Sequence, residues 1–390
     1  MSFLRAARAA LAGQNCLPQI FVAVVAIAVL AGLSLSCGSS SHSTSGPNHN
    51  AYVTLPSRGS VLLLHISGAT GAITLGAETP QVQDTTPTGI ALLPSKKFLY
   101  AVNSFANTIS IFKIASDGTL ALSGTPTPAG GSSPNAAVID PSGKYLLVTN
   151  NLSNTVSVFS IDAGTGALSQ VGSPVPANFH PAEILITPSG KFVYVTNPDI
   201  GMVTAFTFST GVLTQLPSSP VPSGAGAFGL AVDGSERFLY VANPSASNPP
   251  PFSSTTGNIS GFNIEPSGAL MPIVGSPFTA TNGKGPSAIT VDPSGKFVYA
   301  TTPGSSFSIW CFTITSTNGQ LVAVTNSPFS LTAGGLFAFI DPSGNHFYIG
   351  SQDANGIAGY TYDPSTGTPT AIAGSPFSTV AAPGKMVVSE

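Results

Sequence analysis

Apolar residues in this chain occur in short runs separated by segments rich in Gly, Pro, Ser and Thr. Ala182–Ile186 and Phe192–Thr196 flank one such segment, and Val203–Phe208 and Val212–Gln215 follow. Short runs enriched in Val, Ile, Phe and Tyr and bounded by turn residues are typical of β-strands. This stretch therefore predicts four consecutive antiparallel strands.

One turn sequence recurs between the first and second strands of such groups. Proline sets φ at the first corner and glycine relieves strain at a later one, so each copy predicts a tight β-hairpin. The copies are Asp140-Pro-Ser-Gly-Lys144, Thr187-Pro-Ser-Gly-Lys191, Asp233-Gly-Ser-Glu-Arg237, Asp292-Pro-Ser-Gly-Lys296 and Asp341-Pro-Ser-Gly-Asn345, with an eroded copy at Pro94-Ser-Lys-Lys97.

A second, independent marker is a Ser/Thr-Pro pair that follows the fourth strand, where proline suits an exposed sheet edge. Seven copies at intervals of 46 to 57 residues, with about four strands between them, are typical of β-propeller blades. They are Thr79-Pro80, Thr125-Pro126, Ser173-Pro174, Ser219-Pro220, Ser276-Pro277, Ser327-Pro328 and Ser375-Pro376.

The two ends of the chain resemble two halves of one blade. Pro383–Glu390 is similar to the strand before each Asp-Pro-Ser-Gly turn, and Tyr52–Thr54 to the strand after it. Joining them closes a ring without a free sheet edge. The sequence therefore predicts an all-β fold, a seven-bladed propeller over residues 51–390 with four-stranded antiparallel blades, one shared between the two termini.

The second strands carry a family resemblance. Lys191-Phe-Val-Tyr-Val-Thr-Asn197, Phe238-Leu-Tyr-Val-Ala-Asn243 and Lys144-Tyr-Leu-Leu-Val-Thr-Asn150 resemble the Tyr-Val-Thr-Asn repeats of lactonase-type seven-bladed propellers. The resemblance covers about residues 51–390 and implies the propeller fold. That family includes 6-phosphogluconolactonases as well as secreted members without an assigned reaction, so it implies lactone hydrolysis as one function to weigh.

The amino terminus predicts export. Arg5 and Arg8 precede an apolar run, Ile20–Leu35, that is too short for a typical membrane span and suits a signal peptide over residues 1–36. Ser36-Cys37 is similar to the end of a bacterial lipobox, which makes Cys37 the expected lipid-attachment site and residues 37–50 a flexible tether. The alternative is an uncleaved membrane anchor. Both predict an extracytoplasmic, membrane-attached bacterial protein, in the periplasm or at the cell surface.

Charge and cysteine content narrow the functional classes. Charged residues make up 7% of the chain, and removing two leader arginines from twelve basic residues leaves ten against fifteen acidic residues. No basic patch is present, so we expect no nucleic-acid partner. Cys311 aligns with small or apolar residues in the other repeats, which indicates a core position rather than a nucleophile. No His/Cys spacing resembles a metal site, and we expect neither a metal nor a cofactor.

Four asparagines end the second strands of successive blades: Asn103, Asn150, Asn197 and Asn243. They could form a polar ring that binds a ligand. Alternatively, each side chain caps its own turn, which short polar side chains do readily.

His180 and Glu183 lie at a blade-to-blade loop and at the start of the next innermost strand. Glu183 aligns with Gly89, Ala136, Gly229 and Ala288, while Lys385 occupies this position in the split blade. A lactone hydrolase needs a base to activate water and a cation to hold the oxyanion, so His180, Glu183 and Lys385 are candidate catalytic residues. The alternative is tolerated polarity at a solvated opening.

Two functions remain from this reasoning. The favoured one is a binding scaffold in the cell envelope that uses its variable loops, including the insertion Pro244–Asn258, to hold an unknown protein or glycan partner. The rival is a lactonase. A phosphorylated lactone would need a cluster of Arg or Lys side chains to hold its phosphate. Two arginines lie outside the leader, Arg58 and Arg237, and Arg237 lies in a hairpin turn on the face opposite the variable loops. A lactonase would therefore be expected to take an unphosphorylated lactone.

Overall fold

The strands of this protein form a ring of antiparallel sheets. The computed structural model describes residues 48–81, 86–244, 257–279, 285–303, 308–331, 335–341, 343–351 and 354–389. All of these belong to one unit, Ser45–Glu390, and within them the strands form seven sheets. The predicted leader, Cys37 and most of the insertion lie outside the described residues. None of the helices in the described residues is long and apolar enough to cross a membrane.

Each sheet is one blade, and the strands run outward from the ring centre. Blade 1 begins with β1 (His49–Leu55), β2 (Ser60–Ile66) and β3 (Ile73–Glu78). Blade 2 contains β4 (Pro87–Leu92), β5 (Phe98–Asn103), β6 (Thr108–Ile114), β7 (Leu120–Leu122) and β8 (Thr127–Pro128). Blade 3 contains β9 (Pro134–Ile139), β10 (Tyr145–Asn150), β11 (Thr155–Ile161), β12 (Leu168–Gln170) and β13 (Val175–Pro176). Blade 4 contains β14 (Ile184–Ile186), β15 (Phe192–Asn197), β16 (Met202–Ser209), β17 (Val212–Gln215) and β18 (Val221–Pro222).

The remaining blades repeat this order. Blade 5 contains β19 (Leu230–Val232), β20 (Phe238–Asn243), β21 (Asn258–Ile264) and β22 (Leu270–Pro272). Blade 6 contains β23 (Ala288–Val291), β24 (Phe297–Thr301), β25 (Ser308–Ile314), β26 (Leu321–Ala323) and β27 (Phe329–Ser330). Blade 7 contains β28 (Phe337–Ile340), β29 (His346–Ser351), β30 (Gly356–Tyr362), β31 (Pro369–Ala371) and β32 (Phe377–Ser378). Two short 3₁₀ turns, Pro56–Arg58 and Pro198–Ile200, are the helical segments of the described chain.

The last strand, β33 (Met386–Ser389), returns to blade 1 as its innermost strand. It pairs antiparallel with β1, from Met386 opposite Val53 to Ser389 opposite Asn50. The prediction of seven blades with one split between the termini is therefore confirmed. The first segment of the propeller and its last are hydrogen-bonded neighbours, so the ring is closed by a sheet.

The blade edge differs from the four-strand prediction in one respect. In five blades of the described chain, a two-residue strand follows the Ser/Thr-Pro pair and pairs with the start of the third strand. The fourth strand pairs with the other end of that strand, and in blades 4, 6 and 7 the marker hydroxyl fills the gap between them. Ser219 Oγ accepts the amide of Ala205 at 2.7 Å, and Ser327 Oγ accepts that of Cys311 at 2.9 Å. The serine before proline thus accepts a backbone amide hydrogen bond that a neighbouring strand would otherwise accept.

The aspartate of the repeated hairpin turn organises the turn through its carboxylate. Asp140 Oδ1 accepts the backbone amides of Lys144 at 2.8 Å and Tyr145 at 2.6 Å, and Asp292 repeats this arrangement. Gly143 takes φ +70°, in the left-handed region that favours glycine. The predicted turns are confirmed, and these carboxylates accept hydrogen bonds from backbone amides.

Buried tyrosines connect neighbouring blades. In six blades a tyrosine in the middle of the second strand donates its hydroxyl, over 2.8 to 3.0 Å, to a glycine carbonyl in the outer turn of the next blade. Tyr348 donates to Gly71 and so joins blade 7 to blade 1. Blade 3 carries Leu147 at this position, which has no hydroxyl. The pairs are Tyr52–Gly118, Tyr100–Gly166, Tyr194–Gly268, Tyr240–Gly319, Tyr299–Gly367 and Tyr348–Gly71.

The core lies between blades, because both faces of each second strand are covered. Every residue of β5, β20 and β29 is buried. Cys311 is fully buried among Tyr299, Phe347 and their neighbours, and burial raises the pKa of its thiol to about 12. Its predicted core position is confirmed.

Candidate functional site

The face that carries the second-to-third loops and the blade-to-blade connections is called the loop face here, and the opposite one the hairpin face. Glu183 and Lys385 each immediately precede an innermost strand, β14 and β33, so both lie at the central opening on the loop face. Lys385 belongs to blade 1 and Glu183 to blade 4, and blades 2 and 3 lie between them along one side of the ring.

An ion pair spans this opening. Lys385 Nζ lies 2.6 Å from Glu183 Oε1, and the two side chains are 30% and 16% exposed. The ammonium group also lies 5.8 Å from the centre of the Phe228 ring, within cation–π range. The structure thus brings together two of the three residues that the sequence nominated as catalytic, from positions 202 apart in the chain.

The third nominated residue, His180, pairs with a different carboxylate. Its Nδ1 contacts Oδ2 of Asp199, which lies in the 3₁₀ turn Pro198–Ile200 of the same blade. When the Asp199 carboxylate accepts the Nδ1 proton, Nε2 is the nitrogen that can receive a proton. The two side chains are 29% and 23% exposed, so the pair is accessible from solvent. This is the arrangement of an oriented general base.

The loop that carries His180 is held in a strained conformation. His180 has φ +46°, which is uncommon for a residue other than glycine. Its amide donates to Asn154 Oδ1 at 2.8 Å, and the Phe179 ring stacks on its imidazole with centroids 3.9 Å apart. Phe179 itself is 48% exposed. Strain of this kind persists where surrounding contacts fix the residue, and it occurs preferentially at functional sites.

Asn197 is one of the contacts that fix this loop. Its amide donates to the carbonyls of Ala177 at 2.8 Å and Phe179 at 3.0 Å, and its Oδ1 accepts from Thr204. Asn197 is fully buried. It therefore positions the segment that presents His180.

The other three strand-ending asparagines donate hydrogen bonds within their own blades, and Asn243 also accepts one from Ser223, which follows blade 4. Asn103, Asn150 and Asn243 are buried, and each donates to polar side chains on the third strand. Asn103 reaches Ser110 Oγ at 2.9 Å, and Asn150 reaches Ser157 Oγ at 2.8 Å. The prediction that these residues form a ligand-binding ring remains a prediction; their amides are engaged in joining strands.

Positive charge on the loop face is sparse in the described part of the chain. Arg58 pairs with Glu78 over 2.7 Å, and its hydrogen bond lowers the pKa of that carboxyl group. Lys385 pairs with Glu183. Arg237 lies on the hairpin face and donates to the carbonyl of Ser316. Among the described residues, no cluster of three His, Cys, Asp or Glu side chains has the arrangement of a metal site.

Asp199 is the functional candidate that the sequence reasoning missed. From the sequence, His180 is grouped with Glu183 and Lys385, whereas the structure places Asp199 against the imidazole. Aligning the loops between second and third strands offered a signal, since Asn197-Pro-Asp199 places a carboxylate where blade 2 has Asn103-Ser-Phe105 and blade 3 has Asn150-Asn-Leu152.

The fold is that of a seven-bladed β-propeller, and sequence comparison identifies its family. The profile described as "Lactonase, 7-bladed beta-propeller" matches residues 42–179 and 176–388. The chain belongs to this family of seven-bladed lactonase propellers. A search of curated proteins finds no match.

Solved structures share the fold at low identity. A protein provisionally assigned as a 6-phosphogluconolactonase from Bacteroides fragilis is 21% identical, with a TM-score of 0.75 over 89% of this chain and 99% of that one. The periplasmic gluconolactonase of Pseudomonas aeruginosa is 18% identical, with a TM-score of 0.71 over 88% of this chain and 99% of its own. A Lactobacillus plantarum protein is 18% identical, with a TM-score of 0.71 over 88% and 100% of the two chains.

Proposed function

We propose that this protein hydrolyses an unphosphorylated lactone at its loop face, with His180 as the general base. The observation that carries the proposal is the contact between His180 Nδ1 and the Asp199 carboxylate, which leaves Nε2 to take a proton. Membership of the lactonase propeller family and the similarity to a periplasmic gluconolactonase support it.

In the proposed reaction, His180 takes a proton from the attacking water and later returns it to the leaving group. Water adds to the lactone carbonyl carbon while His180 Nε2 takes a proton from it, and Asp199 stabilises the imidazolium that forms. The tetrahedral intermediate then collapses, the ring C–O bond breaks, and the imidazolium returns the proton to the leaving alkoxide. The product is an open hydroxy acid, and His180 is regenerated.

Lys385 is the proposed partner of the developing oxyanion. Preorganised positive charge near the carbonyl oxygen lowers the barrier because that oxygen becomes negative in the transition state. Glu183 holds the ammonium group at the opening, 2.6 Å away, so that it need not reorganise during the reaction. Glu183 is thus a positioning residue in this scheme.

The choice of an unphosphorylated substrate follows from the charges. A phosphate group is usually held by clustered Arg or Lys side chains. Across the described loop face, Arg58 pairs with Glu78, which leaves Lys385 as a single cation rather than part of a cluster. Proposed export, with lipid attachment at Cys37, would also keep the protein away from phosphorylated sugar lactones of the cytoplasm.

The test is hydrolysis of glucono-1,5-lactone and its 6-phosphate by the purified protein, measured as acid release. We expect turnover of the unphosphorylated lactone to fall by about a hundredfold or more in His180→Asn, as loss of a general base predicts. Asp199→Asn should also reduce kcat, because the imidazole loses its orienting partner. The matched control is His65→Asn, a histidine that contacts Asn50 in blade 1.

Two results would contradict the proposal. Equal turnover in His180→Asn and His65→Asn would remove His180 from the reaction. A flat response to all lactones would favour the binding-scaffold alternative, which remains a prediction because the insertion that motivated it lies mostly outside the described residues.

A further inference from the structure

The hairpin face holds a second opening of the central channel, and its wall is apolar. A cavity of about 470 Å³ is lined by the second halves of four innermost strands and by the turn after β4. Ile90 and Leu92 come from blade 2, Ile139 from blade 3, Phe339 from blade 7 and Val387 from blade 1. Cavities of this volume accommodate small organic ligands.

Blade 2 departs from the repeat at two turn positions, and both departures line this cavity. Leu93 replaces the turn-capping residue that is Asp140 in blade 3, and it is buried. Lys96 replaces the glycine that is Gly143 there. The cavity therefore gains an apolar side chain and a cation from this altered turn.

Lys96 occupies a backbone conformation that disfavours side chains. It has φ +58°, whereas the corresponding positions in four blades are glycines with φ between +68° and +73°. A lysine in the left-handed region carries a conformational cost that glycine does not. Lys96 is exposed and is the charged residue among those that line the cavity. An otherwise apolar chamber thus has one ammonium group at its rim.

Further cations surround this opening. Lys97, Lys144, Lys191 and Lys296 are exposed and lie in the same inner turns of blades 2, 3, 4 and 6. Two of the aspartates of those turns, Asp140 and Asp292, are buried with their carboxylates accepting turn amides. Glu236, in the inner turn of blade 5, accepts a hydrogen bond from Ser189 of blade 4. Asp117, Asp162 and Asp363 are exposed and lie in the outer turns, farther from the channel.

We propose that this cavity binds a small amphipathic anion, a carboxylate on an alkyl body. The alkyl body would pack against Ile90, Ile139, Phe339 and Val387, and the carboxylate would lie at Lys96. Burial of alkyl carbon supplies most of the affinity, at about fourfold per methylene. Lys96 and the neighbouring lysines select for negative charge at the open end. This site lies at the opposite end of the channel from Glu183 and Lys385, and it does not depend on the proposed lactonase activity.

The test is calorimetric titration of the purified protein with octanoate at low ionic strength. Octanol has the same tail without the charge, and acetate has the charge without the tail. We expect one octanoate per chain, weaker binding of octanol and no measurable binding of acetate. Nuclear Overhauser contacts between the octanoate chain and the methyl groups of Ile90, Ile139 and Val387 would locate the ligand.

Two variants change the rim charge with little risk to folding, because other blades already carry them. Lys96→Gly reproduces Gly143 of blade 3, and Lys96→Glu reproduces Glu236 of blade 5, which has φ +57°. We expect octanoate to bind about two- to fivefold more weakly in the first and about five- to twentyfold more weakly in the second. Octanol binding should not change in either. Lys113→Gln is the control, since this exposed lysine lies on the third strand of blade 2 and does not line the cavity.

Three outcomes would overturn the proposal. They are no octanoate binding at its solubility limit, equal octanoate affinity in all Lys96 variants, and Overhauser contacts to methyl groups outside the channel.

Discussion

Replacing one inter-blade tyrosine by phenylalanine isolates the contribution of a single blade-to-blade hydrogen bond. Tyr194 is fully buried and donates to the carbonyl of Gly268 in the next blade at 2.9 Å. Tyr194→Phe keeps the ring and its packing but leaves that carbonyl without its donor. A buried hydrogen bond of this kind contributes about 1 kcal/mol net, and an unsatisfied partner adds to the loss, so we expect a destabilisation of about 1–2 kcal/mol.

The expected change in melting temperature follows from the size of the propeller. At about 2.1 cal/mol/K per residue, roughly 340 residues give an unfolding entropy near 0.7 kcal/mol/K. A loss of 1–2 kcal/mol therefore lowers Tm by about 1.5–3 °C. Differential scanning calorimetry at one fixed scan rate can resolve this shift.

The matched control is Tyr360→Phe. Tyr360 is also buried, in the core between blades 6 and 7, but its hydroxyl makes no hydrogen bond to the described residues. This variant should shift Tm by less than about 1 °C. Equal shifts in the two variants would show that the tyrosine–glycine bonds do not stabilise the ring and would refute this account of blade cohesion.

Two further predictions concern buried titratable groups. Burial raises the pKa of Tyr52 to about 12 and also raises the pKa of the other inter-blade tyrosines. Their contribution to stability is therefore complete below about pH 10 and is lost as the pH rises through the pKa values of the folded protein. Phenolate absorbance should increase together with unfolding, and a gradual increase in the folded protein would contradict this. Cys311 should react with a thiol reagent only as fast as the protein unfolds, because the thiol is fully buried and its pKa is raised by burial. Rapid labelling of the folded protein would contradict its core position.

The blade count and the split blade could be predicted because the responsible signals are local. Asp140 and Ser219 illustrate this, since the side chain of each accepts a hydrogen bond from a backbone amide of its own blade. Repetition then makes each signal visible several times. The tyrosine–glycine bonds were not predicted, since they join residues of neighbouring blades, 66 positions apart for Tyr52 and Gly118.

The candidate site was predictable in part. Glu183 and Lys385 stood out because their repeat equivalents are mostly small residues, and the structure places them in contact. The pairing of His180 with Asp199 depends on how two loops of one blade fold against each other, which strand periodicity does not encode. The cavity on the hairpin face was missed for a related reason: the repeated turns predict only tight hairpins, and Pro94-Ser-Lys-Lys97 stands among them as an eroded copy.

The most direct test of the central claim is kcat/KM for glucono-1,5-lactone in the unmodified protein and in His180→Asn, measured side by side at neutral pH. Catalysis by the oriented imidazole predicts turnover well above the buffer rate that falls by about a hundredfold or more in the variant. Turnover that survives the substitution unchanged, in a variant with unaltered Tm, would contradict the assignment of His180 as the base.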